Sequence, residues 1–270
     1  MKNQIADVYN TAGFSSAVSL VTQGRAEKIA HELPALRDKG VFKTDPVYSP
    51  GGEMVNSIIY YGGAPLINID QVKPQDEPRS YKDLLAPRWK GKMITMDPRT
   101  EGGSASFYYI LRYHKVLDLD YYRRLAQQDI AIWGGNPREA IAMVARGEYP
   151  LILGQTTTTV APIMAEGAPL KILTMEEGTT ISAGGSTLVV KGAPHPNAAR
   201  VFVNWLLSPE GQLSYAQSAS STPIRKDVPD FVLPSVQMQP KIVWPTSWEA
   251  SLWQDQDIAA KTMEKIFGTR

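Results

Sequence analysis

The 270 residues carry 43% hydrophobic side chains and a formal net charge of +1, the composition of a chain that buries a core in one large or two ordinary domains. No basic run offers a footprint for nucleic acid or an acidic surface. Without cysteine there is no disulfide, thiolate metal site or cysteine nucleophile, and no apolar run approaches the roughly 20 residues of a membrane-spanning helix.

The opening residues, 1–9, hold one lysine but neither a long apolar core nor a small-residue cleavage pattern, so no secretory signal is read in them. Ala17, Leu20 and Val21 mark a helix face, and Ile29, Leu33 and Leu36 a second, with Pro34 interrupting any single long helix. Asn56-Ser57-Ile58-Ile59-Tyr60-Tyr61 reads as a strand ending at a Gly62-Gly63 turn, and the polar, proline-bearing stretch 71–80 as a connection between lobes. Met93-Ile94-Thr95-Met96 reads as a strand, 104–113 as a helix and Ile130-Ala131-Ile132-Trp133 as another strand.

The next helix is signalled at both ends: Asn136 is placed to cap it, Pro137 fits its first position, Glu139 follows the cap by three, and Gly147 closes it. A strand over 149–154, a helix over 158–166 and a strand over 170–173 continue the alternation. Ser186-Thr187-Leu188-Val189-Val190-Lys191 is a β-branched run closed by Gly192. Pro196 then opens a helix on which Ala199, Phe202 and Leu206, joined by Ala198, Val201 and Trp205, form a face expected to be buried, and Ser208-Pro209-Glu210-Gly211-Gln212 reads as its end. Strands alternating with helices argue for α/β layers and a mainly parallel sheet, with mixed pairing open.

Three strand ends carry polar or aromatic groups. Asp97-Pro98-Arg99-Thr100-Glu101-Gly102-Gly103-Ser104 follows one strand and places hydroxyls and glycines where a helix begins. Gln155-Thr156-Thr157-Thr158-Thr159 repeats the arrangement, and Trp133-Gly134-Gly135 ends a third strand. In an open α/β sheet ligands sit at the carboxyl ends of strands, so Thr100, Gly103, Ser104, Gln155, Thr156 and Thr157 are candidate ligand contacts, with Trp133 as an apolar wall. Each turn taken alone is equally an ordinary polar helix start.

Catalytic and metal signals are weak. His31, His114 and His195 sit in unrelated contexts, and no nucleophile elbow, P-loop or dinucleotide fingerprint occurs. Asp97 and Glu101 are carboxylates that an enzymatic reading would use as acid or base, yet nothing pairs them with a nucleophile.

Five motifs in order, Ser80-Tyr81-Lys82-Asp83-Leu84-Leu85-Ala86-Pro87-Arg88-Trp89-Lys90-Gly91-Lys92, Asp97-Pro98-Arg99-Thr100, Ala145-Arg146-Gly147-Glu148, Gly192-Ala193-Pro194-His195-Pro196 and Ser208-Pro209-Glu210-Gly211-Gln212, together with Thr222-Pro223-Ile224-Arg225-Lys226-Asp227, resemble the extracellular solute-binding proteins of ferric-iron, thiamine and related ABC importers. The resemblance implies an α/β fold of the type II periplasmic-binding-protein kind, with two α/β lobes holding mainly parallel mixed sheets and a ligand cleft between them. The first lobe is expected to be discontinuous, 1–61 with 186–270, and the second to span 62–185. The first strand-helix-strand unit usual in the family has no counterpart before Ile5-Ala6-Asp7-Val8-Tyr9.

Function follows the resemblance: capture of a small solute and its delivery to ABC permease subunits in the membrane, by a periplasmic or extracytoplasmic monomer with no nucleic-acid partner, no cofactor and no catalysis. Ferric members place adjacent tyrosines where this chain has Gln155, Thr156, Thr157 and Thr158. Neutral hydroxyls are poor ferric ligands, so an organic or anionic solute fits better than bare ferric iron, and no metal site is expected. Asn56 and Ser57, on the presumed crossover strand, are secondary contacts. An enzyme on the same architecture, using Asp97 or Glu101 as base, and a sensor domain are the alternatives.

Overall fold

The structure is a computed structural model that describes residues 5–11, 14–43, 47–100, 108, 111–112, 114–182, 185–231, 241–245 and 256–268. Its strands are β1 (Val8–Thr11), β2 (Met54–Asn56), β3 (Tyr60–Asn68), β4 (Met93–Met96), β5 (Ala131–Trp133), β6 (Leu151–Thr156), β7 (Leu170–Ile172), β8 (Thr179–Ser182), β9 (Ser186–Val189) and β10 (Val243–Pro245). Its helices are α1 (Phe14–Thr22), α2 (Leu119–Ala126), α3 (Pro137–Ala145), α4 (Thr157–Ala165), α5 (Pro196–Leu206), α6 (Pro209–Ala219) and α7 (Gln256–Phe267). The chain divides into two compact units, Met1–Tyr60 with Ala183–Phe231, and Tyr61–Ser182 with Val232–Arg270.

In the first unit β9 lies between β1 and β2 and pairs antiparallel with both, Leu188 standing opposite Tyr9 on one side and Met54 on the other. The expected sheets were mainly parallel with mixed pairing open, and this one is antiparallel: β1 and β2 reach β9 from distant sequence without a strand-helix-strand crossover that would impose parallel pairing. The helix face read at Ile29, Leu33 and Leu36 folds as separate 3-10 turns, Ala30–Glu32 and Pro34–Leu36, because Pro34 has no N–H to continue an α-helix. All three apolar residues are still buried.

The segment 208–212 starts a helix where the sequence pattern had it ending one. Ser208 caps α6 by accepting the Gly211 N–H at 3.2 Å, Pro209 takes the first helical position, and Glu210 sits in the first turn. A Cβ on Gly211 would run into the Trp205 carbonyl at the end of α5, so only glycine lets the two helices meet this closely. Gln212 is fully buried: its Nε2 donates to the carbonyls of Ser57 at 2.7 Å and Leu206 at 2.8 Å, and its Oε1 accepts the Ile224 N–H at 2.9 Å. Arg225 adds a bond from Nη1 to the Leu207 carbonyl at 3.2 Å while its other nitrogens hold Asp227.

The face of α5 also differs from its reading. Ala199, Val203 and Leu206 are buried, whereas Val201, Phe202 and Trp205 are 69%, 43% and 37% exposed. The break at Leu207 and the tight approach of α6 turn the helix so that the 199–203–206 stripe faces β9.

The second unit is built on a sheet of order β10-β8-β3-β6-β4-β5, with β7 on β3. β4 pairs parallel with β5 and β6, and β8 with β10; β3 pairs antiparallel with β6 and β7. Both faces are covered, which is why its central strands read as continuous apolar runs. Ile67, Met93 and Leu151 face a cluster containing Leu84, Trp89, Leu111 and Met263, and the alternate residues Leu66, Ile94 and Ile152 face Ala140, Ile141, Val144 and Val160.

Four tyrosines lie in the first of these clusters, and their hydroxyls have partners. Tyr81 donates to the Gly63 carbonyl, Tyr121 to that of Tyr81 and Tyr122 to that of Tyr108, while Tyr108 shares a 3.1 Å bond with the Thr95 hydroxyl. Burying a phenol disfavours its charged form, so burial pushes Tyr108 up to about 12 and raises Tyr81, Tyr121 and Tyr122 as well.

Three boundaries differ from those expected. Residues 232–270 join the second unit instead of the first, because β10 pairs with β8 and Met263 of α7 enters the tyrosine cluster. Gly62-Gly63 does not end a strand: β3 runs through it with a register shift against β6, and the hydroxyls of Thr179 and Thr180 both donate to the Gly62 carbonyl. The stretch 71–80 connects elements within the second unit, with Val72 in its core and Gln71 donating to the Gly147 carbonyl.

Two outcomes follow from these contacts. Gln212→Leu strands three buried backbone groups at about 1–3 kcal/mol each, so urea unfolding should show a loss of about 3 kcal/mol or more. For the tyrosines, a folded-state value above the ordinary 10.0 gives a contribution that is complete below that pH and is lost as pH rises towards about 12. Alkaline titration followed by tyrosinate absorbance should therefore show late, cooperative ionisation that coincides with loss of near-ultraviolet circular dichroism.

Candidate functional site

β6, β4 and β5 lie side by side and parallel, with Thr95 opposite Leu153 and Ile132, and Met96 opposite Trp133. Their carboxyl ends share one edge, where the turn 97–100, Trp133-Gly134-Gly135 and Gln155-Thr156 emerge together. Thr100, Trp133, Gln155, Thr156 and Thr157 are thus brought to one end of the second unit's sheet. Gly103, Ser104 and Glu101 lie outside the described residues.

β6 runs two residues beyond the expected Gly154, so Gln155 and Thr156 are strand residues and Thr157 opens α4. The Thr156 hydroxyl lies 2.7 Å from that of Thr159 and 3.3 Å from that of Thr158. It does not cap the helix, whose first turn has no side-chain cap. Its leading N–H groups therefore lack an intrahelical acceptor beside three clustered hydroxyls, which is a donor-rich patch. Gln155 is buried and turns its Nε2 back to the Leu153 carbonyl at 3.0 Å; Thr157 is buried beside it.

The turn after β4 is held by charge. Asp97 is buried, accepts Nε and Nη2 of Arg99 at 2.8 and 3.1 Å and the Arg99 N–H at 2.9 Å, and ties its own N–H to the Trp133 carbonyl. The paired carboxylate holds the Arg99 proton more firmly than usual. Thr100 donates its hydroxyl to the Asp97 carbonyl at 2.8 Å. An enzymatic use of Asp97 as base would compete with this two-pronged ion pair.

Trp133 is half-buried at the margin of the Ile141 cluster, and its indole N–H donates to the Asn136 carbonyl at 3.1 Å. The ring lies over its own turn: a Cβ on Gly135 would come within 2.8 Å of Nε1. Asn136 in turn caps α3 by accepting the Arg138 N–H.

In the first unit, Asn56 and Ser57 have different fates. Ser57 is consumed by structure: its hydroxyl donates to the Gly185 carbonyl and accepts from Thr187 at 3.1 Å, and its own carbonyl accepts from Gln212. Asn56 is fully buried, yet neither its Nδ2 nor its Oδ1 has a hydrogen-bond partner among the described residues. Ser186, directly opposite Asn56 on β9, has an equally buried and unpartnered hydroxyl, and Thr11 of β1 faces Ser186 from the other side. A buried unpaired polar group costs about 1–3 kcal/mol, so the facing pair Asn56 and Ser186 is a place where another molecule's polar atoms would be stabilising.

Ser186 was not singled out by the sequence, whereas Thr158 and Thr159 were read only as part of the polar run 155–159. The two threonines lie inside a run whose clustering could be read, but Ser186 meets Asn56 only through strand pairing across more than a hundred residues. Among the described residues no group of three or more His, Asp or Glu is arranged to hold a metal ion. A pocket of about 550 Å³ lined by Gln71, Asp76, Arg88, Trp89, Lys92 and Glu148 opens at the opposite, amino end of β4 and β6 and includes none of these residues.

The family described as bacterial extracellular solute-binding protein matches residues 52–217, more than half of the chain. The chain belongs to the bacterial extracellular solute-binding proteins. That match spans Asn56, Ser57 and every candidate residue of the second unit. An uncharacterised protein of Haemophilus influenzae is 30% identical over 149 residues, which are 54% of this chain and 42% of that protein, so the similarity reaches less than half of the relative's length.

Solved structures of solute-binding proteins show the same fold. Iron-bound HitA from Pseudomonas aeruginosa is 19% identical with a TM-score of 0.77 over 97% of this chain and 82% of that one. The apo ferric ion-binding protein A of Pasteurella haemolytica is 16% identical, TM-score 0.79, over 97% and 83%. AfuA from Actinobacillus pleuropneumoniae, with fructose-6-phosphate bound, is 19% identical, TM-score 0.74, over 98% and 81%. The fold of this solute-binding protein is therefore that of the type II periplasmic binding proteins.

The position of Trp133 is testable apart from any solute. Gly135→Ala places a methyl against the indole, so the Trp133 N–H resonance, assigned through Trp133→Phe, should lose its hydrogen-bonded shift, with a stability cost of about 1–3 kcal/mol.

Proposed function

We propose that this chain is the solute-binding component of an ABC import system, an extracytoplasmic monomer that captures a neutral or anionic organic solute and delivers it to membrane permease subunits. The observation that carries the reading is the shared edge of β6, β4 and β5, where the Thr156, Thr158 and Thr159 hydroxyls, Thr100 and Trp133 gather in a member of this family. Hydroxyls and uncapped helix N–H groups pair with sugar, carboxylate or phosphate oxygens, and the indole offers an apolar wall. In the first unit taken by itself, the buried groups of Asn56 and Ser186, unpaired among the described residues, are open to polar atoms of a solute or of water.

Among proteins of this fold, HitA is iron-bound and AfuA is bound to fructose-6-phosphate. The chemistry at 155–159 is of the second kind, since neutral threonine oxygens do not compete for a hard trivalent ion as phenolate or carboxylate does. Uptake itself is a selection among conformations by differential affinity, with no bond made or broken.

Thermal denaturation against sugar phosphates, phosphonates, polyols, dicarboxylates and ferric citrate tests this. A binding solute at a hundred times its dissociation constant stabilises by about 2.7 kcal/mol, a readily measured rise in Tm. Thr156→Val should weaken that solute about tenfold and leave the Tm of the free protein nearly unchanged, as a lost hydrogen bond of about 1.4 kcal/mol requires. No shift with any compound, or a shift confined to ferric salts, overturns the reading.

A further inference from the structure

A second site lies in the second unit, in the groove formed by α2, α7 and Arg112. It has a volume of about 610 Å³, and three cations, Arg112, Arg123 and Lys265, line it together with the apolar side chains of Leu119, Ala126 and Ile266. Among the described residues no acidic side chain lines it and none of the three cations enters an ion pair. The chain as a whole has nearly balanced charge, 28 basic against 27 acidic residues, so a groove with three of one sign and none of the other is a local departure.

Helix geometry explains part of this. Leu119, Arg123 and Ala126 recur at steps of four and three along α2, and Lys265 and Ile266 follow Thr262 by three and four along α7, so both helices turn a mixed basic and apolar stripe to the groove. Arg123 and Lys265 sit in the last turns of their helices, where the dipole favours a cation. Each helix end carries only about half a negative charge, which leaves three full positive charges largely uncompensated. The dipole also does not account for Arg112, which belongs to neither helix.

We infer that this groove binds a phosphate ester with an apolar body: the guanidinium groups of Arg112 and Arg123 and the ammonium of Lys265 take the phosphate oxygens, and Leu119, Ala126 and Ile266 take the hydrocarbon. Guanidinium forks match phosphate geometry in two-pronged bonds, and three cations lining one groove favour a group that carries more than one charged oxygen. The same chemistry is offered by a soluble phosphate ester and by the headgroup region of an anionic phospholipid. The site is separate from the edge that carries Thr156 and Trp133, none of whose residues line it.

Isothermal titration of the full-length protein with hexyl phosphate, inorganic phosphate and hexanol tests the chemistry. Hexyl phosphate should bind more tightly than either half-probe, and raised ionic strength should weaken it. Arg123→Gln/Lys265→Gln, two changes at exposed positions, should weaken it at least tenfold with Tm unchanged, Arg123→Lys/Lys265→Arg should retain it, and Thr156→Val should leave it untouched. Flotation with phosphatidylglycerol against phosphatidylcholine vesicles separates the sources. Loss of phosphatidylglycerol binding in the double Gln variant assigns the groove to a membrane lipid, and hexyl phosphate binding without vesicle binding assigns it to a soluble ester. Failure of both hexyl phosphate and vesicles to bind, or binding that the double Gln variant leaves unchanged, overturns the inference.

Discussion

The carboxamide of Gln212 is the interaction on which the first unit depends. It is buried beyond the reach of water and spends its capacity on backbone groups from three separate stretches, at Ser57, Leu206 and Ile224. Such a side chain is replaceable by nothing of similar shape: glutamate lacks the donor and leucine lacks both functions. Its neighbour Gly211 lets α6 begin against the end of α5, and Ser208 and Pro209 start the helix at that point. The stretches 208–212 and 222–227, which carry much of the family resemblance, therefore meet at one hydrogen-bonded junction instead of at a ligand.

That junction also sets the strand ends that carry Asn56 and Ser186. Gln212 fixes the carbonyl of Ser57, and Ser57 fixes Gly185 and Thr187, so the ends of β2 and β9 are set against one another before any solute arrives. Asn56 and Ser186 sit on that rigid pair with their own polar atoms unspent. The second unit follows the same division of labour. Asp97, Arg99 and Asn136 hold the turns, and the Thr156 hydroxyl group and the Trp133 ring stand at the end of a sheet packed on both faces.

Elements whose buried faces are made of large apolar residues were legible in the sequence: β4, β5, β6 and β9, and α3 with its Asn136 cap. α6 was not, because the residues it buries are Gly211, Gln212 and Ala216, which leave no hydrophobic period to read. β8 is Thr-Thr-Ile-Ser, and it holds its place by hydroxyl bonds to Gly62 as well as by pairing, a tie that no local pattern announces. The polar strand ends could be listed from sequence, since turn chemistry is local. Which of them are consumed by structure, as Ser57 is, and which are left unpaired, as Asn56 is, depends on partners far along the chain.

The membership of residues 232–270 in the second unit has a consequence for how the protein comes into being. The chain leaves the first unit after Tyr60, returns at Ala183 and leaves again after Phe231. On the ribosome, every residue of the first unit has been made while β10 and α7 are still to come. Until then β8 is without its parallel neighbour, and the tyrosine cluster is without Met263. The last residues of the first unit are therefore made before the unit nested inside it has all its strands, and for that interval β8 presents an unpaired edge.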